Sequence, residues 1–191
     1  MTAVYMLMSS VPMDREEVEE LDRCLYQIAQ NDPEALKDLY LRTSTSVYAF
    51  ALSMLKNAHD AEDVLHDCYL RIHASAAGYE SDGKPMAWIL TIVKNLCRMK
   101  MRQYGKTADV DEDVWSSFPA ADSLATEEDK IVLRACLERL SDEERQIVVL
   151  HAVSGMKHRE IAQITDIPLP TVLSKYHRAI KKMKQFLEEG V

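Results

Sequence analysis

The chain has 191 residues, of which 47% are hydrophobic and 28% are charged, and its formal net charge at pH 7 is −8. A chain of this length can bury one medium hydrophobic core or two small ones. It lacks both a run of about 18 apolar residues and the basic start of a signal peptide, so we expect a cytoplasmic protein without a membrane span.

Cysteine and histidine usage argues against metal or redox chemistry. The four cysteines are widely spaced and form no CxxC pair: Cys24, Cys68, Cys97 and Cys136. In a cytoplasmic helical protein, such cysteines are typically reduced core residues. His66 and Cys68 are two residues apart and would point away from each other on a helix. The chain also has no HExxH motif, glycine-rich phosphate loop or GxSxG motif, so we predict that it is not an enzyme and needs no metal or cofactor.

The first third of the chain is predicted to be helical. Residues 14–30 form an acidic amphipathic helix, and Asp32 with Pro33 begins a second helix that extends to about Met54. After a turn, Asp60 or a neighbouring residue can cap a third helix that extends to about Ala74. Its inward side is predicted to comprise Val64, Leu65, Cys68, Tyr69 and Ile72. Its exposed side is then acidic, with Glu62, Asp63, His66 and Asp67.

A basic helix that contains a tryptophan is predicted from Pro85 to Gln103, after a loop over residues 76–84. Its buried stripe is expected to comprise Trp88, Ile89, Ile92, Val93, Leu96 and Met99. Basic residues cluster toward its C-terminal half: Lys94, Arg98, Lys100 and Arg102. These side chains either contact nucleic acid or form a solvated face that complements the helix dipole.

Residues 104–128 are acidic and rich in Asp, Ser and Ala, which predicts a linker. Trp115 and Phe118 are unusual in a solvated linker, and we expect them to dock on another domain or on a partner. Negative charge is concentrated in residues 1–33 and 103–130, whereas 34–102 and 131–191 are slightly basic. Since phosphate neutralisation dominates nonspecific binding, such an acidic protein should bind DNA weakly by itself.

The C-terminal residues predict a helix-turn-helix. A helix over about 128–140 precedes a capping box at Ser141–Glu144 that starts the next helix. The motif itself extends from Lys157 to about Ala179, with Asp166 suited to a left-handed turn before Pro168. Its second helix is basic and suits the major groove, with Lys175, His177, Arg178, Lys181, Lys182 and Lys184. The alternative is an ordinary helix pair with a solvated basic face.

An ordered set of short motifs covers residues 25–187. It comprises DAEDVLHD at 60–67, AWI at 87–89, TI at 91–92, KNL at 94–96, LSDEER at 140–145, EIA at 160–162, IP at 167–168, TV at 171–172, Ser174 and HRA at 177–179. This set resembles the extracytoplasmic-function (ECF) class of bacterial sigma factors in the sigma-70 family. The resemblance implies an all-α fold with two small helical domains joined by an acidic linker, the second ending in the helix-turn-helix.

The resemblance also implies a domain division. An acidic N-terminal arm would occupy residues 1–24, and a sigma region 2 domain that binds core polymerase and the −10 element would occupy residues 25–103. A linker over 104–128, which in the family threads through polymerase toward the RNA path, would lead to a region 4 domain over 129–191 that binds the −35 element. The protein would be an alternative sigma factor that binds core RNA polymerase and promoter DNA, directs transcription initiation, is controlled by an anti-sigma factor and acts on no small-molecule substrate.

Residue roles are implied in the same way. The polymerase-binding helix face matches Asp63, His66 and Asp67. The −10 strand would be contacted by Lys94, Asn95, Arg98 and Arg102, and a flipped base would enter a pocket at the loop 77–84. The −35 element would be contacted by Thr171, Ser174, Lys175, His177, Arg178, Lys181 and Lys182.

The recognition helix departs from the family pattern. The family often has Gly at the position of Pro170, a basic residue at Leu173, Arg at Lys175 and a Ser or Thr cap at Lys157. Because lysine cannot form the paired hydrogen bonds that arginine makes with guanine, the preferred −35 sequence is expected to be unusual. Two alternatives stay open: a dimeric helix-turn-helix regulator that needs no polymerase, and a sigma-like decoy that sequesters an anti-sigma protein.

Overall fold

Helices account for nearly all of the described chain. The computed structural model describes residues 13–104, 118–119 and 127–189, and within these ranges it contains no strand. The helices are α1 (Arg15–Ala29), α2 (Pro33–Leu55), α3 (Ala58–Ser75), α4 (Pro85–Tyr104), α5 (Glu127–Glu138), α6 (Asp142–Ala152), α7 (His158–Thr165) and α8 (Leu169–Glu189). A 3-10 turn over Ala76–Gly78 follows α3. The predicted all-α fold class is confirmed.

Side-chain caps begin several helices, and those at Asp32 and Ser141 are where the sequence predicts them. At the start of α1, the Asp14 carboxylate accepts a bond from the Glu17 backbone N–H at 2.9 Å, and the Glu17 side chain accepts from the Asp14 N–H. Asp32 caps α2. Ser141 and Glu144 form the predicted capping box of α6, each side chain accepting from the backbone N–H of the other residue. Such caps pair donors that the first helical turn leaves free.

The start of α3 differs from the prediction. The helix begins at Ala58 because Asn57 is its cap, with the Asn57 side-chain oxygen accepting from the Asp60 N–H at 2.9 Å. Asp60 therefore lies in the first turn, and its carboxylate is bound instead by Lys100 at 2.7 Å. The inward residues agree with the prediction, since Val64, Leu65, Cys68, Tyr69 and Ile72 are all buried.

The predicted buried stripe of α4 is partly wrong. The side chains in the core are Met86, Ile89, Leu90, Val93 and Cys97. Trp88, Ile92 and Leu96 are half-buried, and Met99 is 49% exposed. Apolar residues occur on two adjacent sides of this helix, so periodicity alone selects neither. Packing against α2 and α3 selects the first side, and the second borders an open groove with Arg71 and Ser75 of α3.

The helices form two groups, α1–α4 and α5–α8, that pack against each other mainly through α2 and α6. The Ser46 hydroxyl of α2 donates to the Val153 carbonyl at 3.0 Å, and Lys56 forms an ion pair with Asp142 at 2.6 Å. The Met13 N–H donates to the Gly155 carbonyl at 3.2 Å. One continuous buried core therefore spans both groups.

Helix α1 belongs to this core. It crosses the predicted boundary between residues 24 and 25, and it buries residues on both sides of that boundary: Leu21, Cys24, Leu25 and Ile28. Phe118 is buried, as expected for a residue that docks, while Trp115 lies outside the described residues.

All four cysteines are buried and unpaired, which confirms them as core residues. Burial raises the pKa of the Cys136 thiol to about 11 and that of Cys68 to about 12, so both stay protonated at neutral pH. Across the described residues, no helix is both long and apolar enough to cross a membrane.

Candidate nucleic-acid interface

Helices α7 and α8 form the predicted helix-turn-helix. Asp166 ends α7 with φ 60° and ψ 29°, the left-handed conformation predicted for it. Ile161 and Ile164 of α7 are buried together with Val172 and Ala179 of α8. The start of α7 lacks a Ser or Thr cap, and the Glu160 carboxylate accepts the Lys157 N–H at 2.9 Å instead.

The outer side of α8 is open to solvent. Ser174, His177, Arg178 and Lys181 are exposed. They lie opposite the buried side chains of Val172, Ala179 and Met183, whereas Thr171 near the helix start is half-buried. A basic helix face that projects from a helix-turn-helix is the arrangement that reads DNA in the major groove.

Two lysines of α8 are engaged by α6. Lys175 forms an ion pair with Glu143 at 2.6 Å, and its side chain is 21% exposed. Lys182 forms an ion pair at 2.6 Å with Glu144, which is buried. Burial by itself would raise the pKa of the Glu144 carboxyl. The hydrogen bonds from Lys182 and Ser141 help to outweigh burial, and the pKa is lowered. The partners of both lysines lie in the acidic first turn of α6, where the helix dipole stabilises carboxylates. That acidic turn is the sequence signal from which these ion pairs could have been predicted.

The basic side of α4 meets the turn of the helix-turn-helix. Lys94 and Arg98 both contact one oxygen of the Asp166 carboxylate, at 3.2 and 3.1 Å. Hydrogen bonds from Lys94 and then Arg98 lower the pKa of the Asp166 carboxyl. Asn95 and Arg102 are exposed. The two helices predicted to contact DNA are therefore tied together through three charged side chains.

A cleft of about 310 Å³ separates the loop after α3 from α7. Tyr79, Lys84, Trp88 and Thr91 line one side of it, and Gln163 and Ile164 of α7 line the other. The loop predicted to hold a flipped base thus faces α7 in this arrangement.

The acidic side of α3 is exposed at His66 and Asp67. Asp63 is half-exposed, and its carboxylate accepts a bond from Lys100 at 2.8 Å, which lowers its pKa. Leu70, one turn beyond, is 70% exposed, although sequence reasoning did not select it. Its helical spacing from Asp63 and Asp67 was a signal that could have found it.

We expect Asp166→Asn to loosen the contact between α4 and α7. Asparagine tolerates the left-handed turn but removes the charge that binds Lys94 and Arg98. Backbone amides of α7 should exchange with deuterium faster in the variant than in the parent protein. In the parent, exchange should quicken as salt rises from about 0.05 M to about 0.5 M, because salt screens exposed ion pairs. The variant should show little salt dependence.

Asp67→Asn is the matched control, since Asp67 is exposed on α3 and the substitution removes the same charge away from this contact. Equal exchange and equal salt dependence in all three proteins would contradict a role for the Asp166 contacts.

Two family models match the chain in order. The sigma-70 region 2 model matches residues 39–107, and the sigma-70 region 4 model matches residues 130–183. Together they cover more than half of the chain and include α4 in the first match and the helix-turn-helix in the second.

Curated and solved relatives agree. The ECF RNA polymerase sigma factor SigK of Mycolicibacterium vanbaalenii is 27% identical over 175 residues, covering 88% of this chain and 89% of that protein. CnrH, solved in complex with the cytosolic domain of CnrY, has a TM-score of 0.61 at 19% identity, covering 90% of this chain and 99% of its own.

RpoE of Bartonella quintana, solved in complex with the anti-sigma factor NepR, has a TM-score of 0.63 at 22% identity. That match covers 81% of this chain and 98% of the RpoE chain. With both region models matched in order along its helices, the chain belongs to the sigma-70 family of RNA polymerase sigma factors, in the ECF class.

Proposed function

We propose that this protein is an alternative sigma factor that binds core RNA polymerase, directs it to promoters and is controlled by an anti-sigma factor. One observation carries the proposal: two basic helices, α4 and α8, occur in the two matched regions of a chain whose overall charge is negative. One basic surface would serve a simple repressor. Two suit a subunit that contacts two promoter elements while polymerase supplies most of the DNA affinity.

The proposed domain division follows the two helical groups except at its first boundary, which falls within α1. Region 2 would occupy residues 25–103 and region 4 residues 129–191, with residues 104–128 as linker and 1–24 as N-terminal arm. The separation of α1–α4 from α5–α8 in the chain supports this division. The packing of α1 against α2 supports the assignment of α1 beside region 2. The protein would act through binding and not through catalysis, and it would function where polymerase is, in the cytoplasm.

Polymerase binding is assigned to α3, through Asp63, His66 and Asp67. The exposure of His66, Asp67 and Leu70 along one side of the helix supports this assignment. An exposed leucine beside carboxylates suits a partner helix that offers both apolar and basic side chains.

Promoter contacts are assigned to α4 and α8. On α4, the −10 strand would be contacted by Lys94, Asn95, Arg98 and Arg102. On α8, the −35 duplex would be contacted by Thr171, Ser174, Lys175, His177, Arg178, Lys181 and Lys182. Because Lys94 and Arg98 bind Asp166 in the described arrangement, α7 must move away from α4 before these side chains reach DNA.

Anti-sigma control rests on the relatives. CnrH was solved with the cytosolic domain of CnrY, and RpoE with the anti-sigma factor NepR. A protein that holds the α4 and α7 surfaces together, or covers the exposed side of α3, would keep this chain from polymerase and promoter DNA.

Reconstitution with core RNA polymerase tests the proposal. The purified chain should associate with core enzyme and support initiation from a subset of a random promoter library. Asp67→Lys should weaken that association, whereas Glu19→Lys, a matched reversal on the exposed side of α1, should not. Failure to bind core, or specific duplex binding without polymerase, would reject the proposal, and the second result would favour a stand-alone regulator.

Substitutions on α8 should separate phosphate contacts from base contacts. Arg178→Ala should weaken −35 binding similarly across sequences and lower the slope of log affinity against log salt by about one. Lys175→Ala should also change sequence preference, because Lys175 lies nearer the N-terminal end of the recognition helix. Binding of polymerase carrying each variant to a −35 library measures both effects.

Lys182→Ala differs from the other two because Lys182 is the ion-pair partner of buried Glu144. It should lower thermal stability as well as DNA affinity, whereas Arg178→Ala should leave stability unchanged. Equal loss of selectivity at Lys175, Arg178 and Lys182 would contradict these assignments.

A further inference from the structure

Asp22 of α1 connects the N-terminal helix to the loop that follows α3. Its carboxylate accepts one hydrogen bond from the Tyr79 hydroxyl and another from the Ser81 hydroxyl, the latter at 2.7 Å. One carboxylate thus holds two residues of the loop at different oxygens. In the sequence, Asp22 lies in the acidic N-terminal arm, for which no specific role is predicted.

The rest of the loop is held by short local bonds. The Gly83 N–H donates to the Ser81 hydroxyl at 3.4 Å, and the Lys84 N–H donates to the Asp82 carboxylate at 3.1 Å. Gly83 has φ 75°, a conformation that other residues adopt only with strain. Ser81 therefore links Asp22 to this turn, and Asp22 is an anchor on a helix outside the loop.

The second residue held by Asp22 is the centre of an aromatic row. The buried Tyr79 ring lies between Tyr26, at a centroid distance of 6.2 Å, and Trp88, at 5.0 Å. Both contacts are edge-to-face, an arrangement that stabilises aromatic pairs. Burial, and then the bond to Asp22, raise the pKa of the Tyr79 hydroxyl, so it remains a donor to the carboxylate.

Tyr79 and Trp88 are also walls of the cleft beside α7. Aromatic side chains are the groups on which an unstacked base stacks. Lys84 and Thr91 line the same cleft together with Glu80 and Asp82, and Lys84 lies 4.0 Å from the Asp82 carboxylate. A shift of Tyr79 would move one wall and the edge-to-face contact with Trp88. Asp22 therefore bears on the position of the cleft wall that Tyr79 forms opposite α7.

We infer that Asp22 is a positioning residue for base selection, holding Tyr79 and Ser81 so that the loop presents a preformed pocket to one unstacked base of the −10 strand. The inference rests on the proposed function and deepens it. Removing a base from its stack costs free energy that binding must offset. If the loop became ordered only when the base binds, the entropic cost of fixing its backbone would add to the free energy of unstacking. A preformed loop avoids that entropic cost.

The inference predicts a change in base preference as well as in activity. A purely structural Asp22 would lower activity equally on all promoters when it is replaced. A positioning residue changes the ratio between promoters that differ at the captured base, because a displaced wall discriminates less between base shapes.

The experiment uses polymerase holoenzyme and a promoter selected from a random library by the parent protein. Four versions carry A, C, G or T at the nontemplate −10 position where the parent discriminates most. Open-complex formation should show that Asp22→Ala reduces the ratio of best to worst base by about tenfold, within the range of one base-stacking contact. Glu19→Ala removes a carboxylate from the same helix, where it pairs only locally with Arg15 in an exposed i,i+4 contact, and should leave the ratio unchanged.

Variants of Tyr79 and Asp22 test whether Asp22 acts through its hydrogen bond to Tyr79. Tyr79→Phe keeps the ring and removes the hydroxyl, so it should lower the base ratio in the same direction. The double variant with Asp22→Ala should be no worse than Asp22→Ala alone, since both changes break one interaction. Asp22→Asn keeps one carbonyl acceptor and should restore part of the ratio.

Two results would overturn the inference: an unchanged base ratio in Asp22→Ala despite lower overall activity, or a lowered ratio in Glu19→Ala of equal size. If the parent holoenzyme initiates from no promoter, the proposed function fails and the inference fails with it. That outcome is distinct, because the parent and Glu19→Ala would then be inactive as well.

Discussion

Replacing Arg145 with leucine is expected to lower the free energy of unfolding by about 3 kcal/mol, the cost of removing a buried charged donor from the acceptors that surround it. The Arg145 side chain is only 6% exposed. Its guanidinium donates to the carbonyls of Leu137 at 2.9 Å and Leu140 at 2.8 Å, and it contacts Asp142 at 3.0 Å.

These bonds join the end of α5 to the start of α6. The last carbonyls of a helix have no partner within the helix, and Arg145 supplies donors to two carbonyls at this junction. Leucine fills part of the space but donates nothing, so the Leu140 carbonyl loses the Arg145 donor and the Leu137 carbonyl keeps its bond from the Leu140 N–H at 3.2 Å. Since α6 packs against both α7 and α8, the helix-turn-helix should lose stability with the junction.

Chemical denaturation followed by circular dichroism measures this loss. Arg139→Leu is the matched control, because Arg139 lies one residue after α5 but is exposed, with its guanidinium 4.1 Å from the centre of the Phe186 ring. An exposed contact of this kind contributes about 0.5–1 kcal/mol. Equal losses in the two variants would show that Arg145 does not hold the junction.

Lys100→Met is expected to cost about 2 kcal/mol, less than the full loss for a deeply buried ion pair because one partner is partly solvated. The Lys100 amine contacts the carboxylates of Asp60 at 2.7 Å and Asp63 at 2.8 Å, and the lysine side chain is 14% exposed. Methionine matches the length of the side chain and leaves the Asp60 carboxylate, 16% exposed, without this cation. Thermal unfolding at neutral pH measures the effect.

The ion pair with Lys100 distinguishes Asp63 from Asp67, two carboxylates assigned to polymerase binding. Asp63→Ala should lower the melting temperature because it removes one partner of Lys100, whereas Asp67→Ala should leave it unchanged. Both should weaken polymerase association. Equal melting temperatures for the parent and Asp63→Ala would contradict a structural contribution from Asp63.

The bridge also predicts a pH dependence. The pKa of Asp63 is lowered in the folded protein, first by its hydrogen bond to Lys100. Its stabilising contribution is therefore present above the unfolded pKa, about 4, and is lost as pH falls through the lower folded value. The stability difference between the parent and Asp63→Ala should shrink over that acid range.

Much of the fold follows from local sequence signals. The capping boxes at Asp14 and Ser141, and the left-handed turn at Asp166, depend on residues within a few positions of one another. The buried side of α3 could also be predicted from the sequence, because its buried apolar residues form one stripe. On α4, apolar residues occupy two adjacent sides, and only contacts with α2 and α3 decide which one is buried.

The candidate site was harder to predict because its partners are distant in the chain. Lys94 meets a carboxylate 72 residues away, Lys182 one that is 38 residues away, and Asp22 holds a hydroxyl 57 residues away. A sequence pattern identifies such charges and helix faces but not the side chains that neutralise them. The resemblance to sigma factors implies which helices would face DNA, and the tertiary contacts indicate which cations are already engaged.

The ion pairs between Asp166 and α4 make the two proposed DNA surfaces unequal in the unbound chain. Ser174, His177, Arg178 and Lys181 of α8 are exposed, whereas Lys94 and Arg98 are held by a carboxylate in the turn that precedes this helix. In the proposed function, duplex DNA could therefore meet these four side chains before the Asp166 ion pairs break. Phosphates that arrive beside this turn repel Asp166 and attract the two cations it holds. Under the proposed function, promoter engagement would then have a direction, from double-stranded contact upstream to capture of the separated strand downstream.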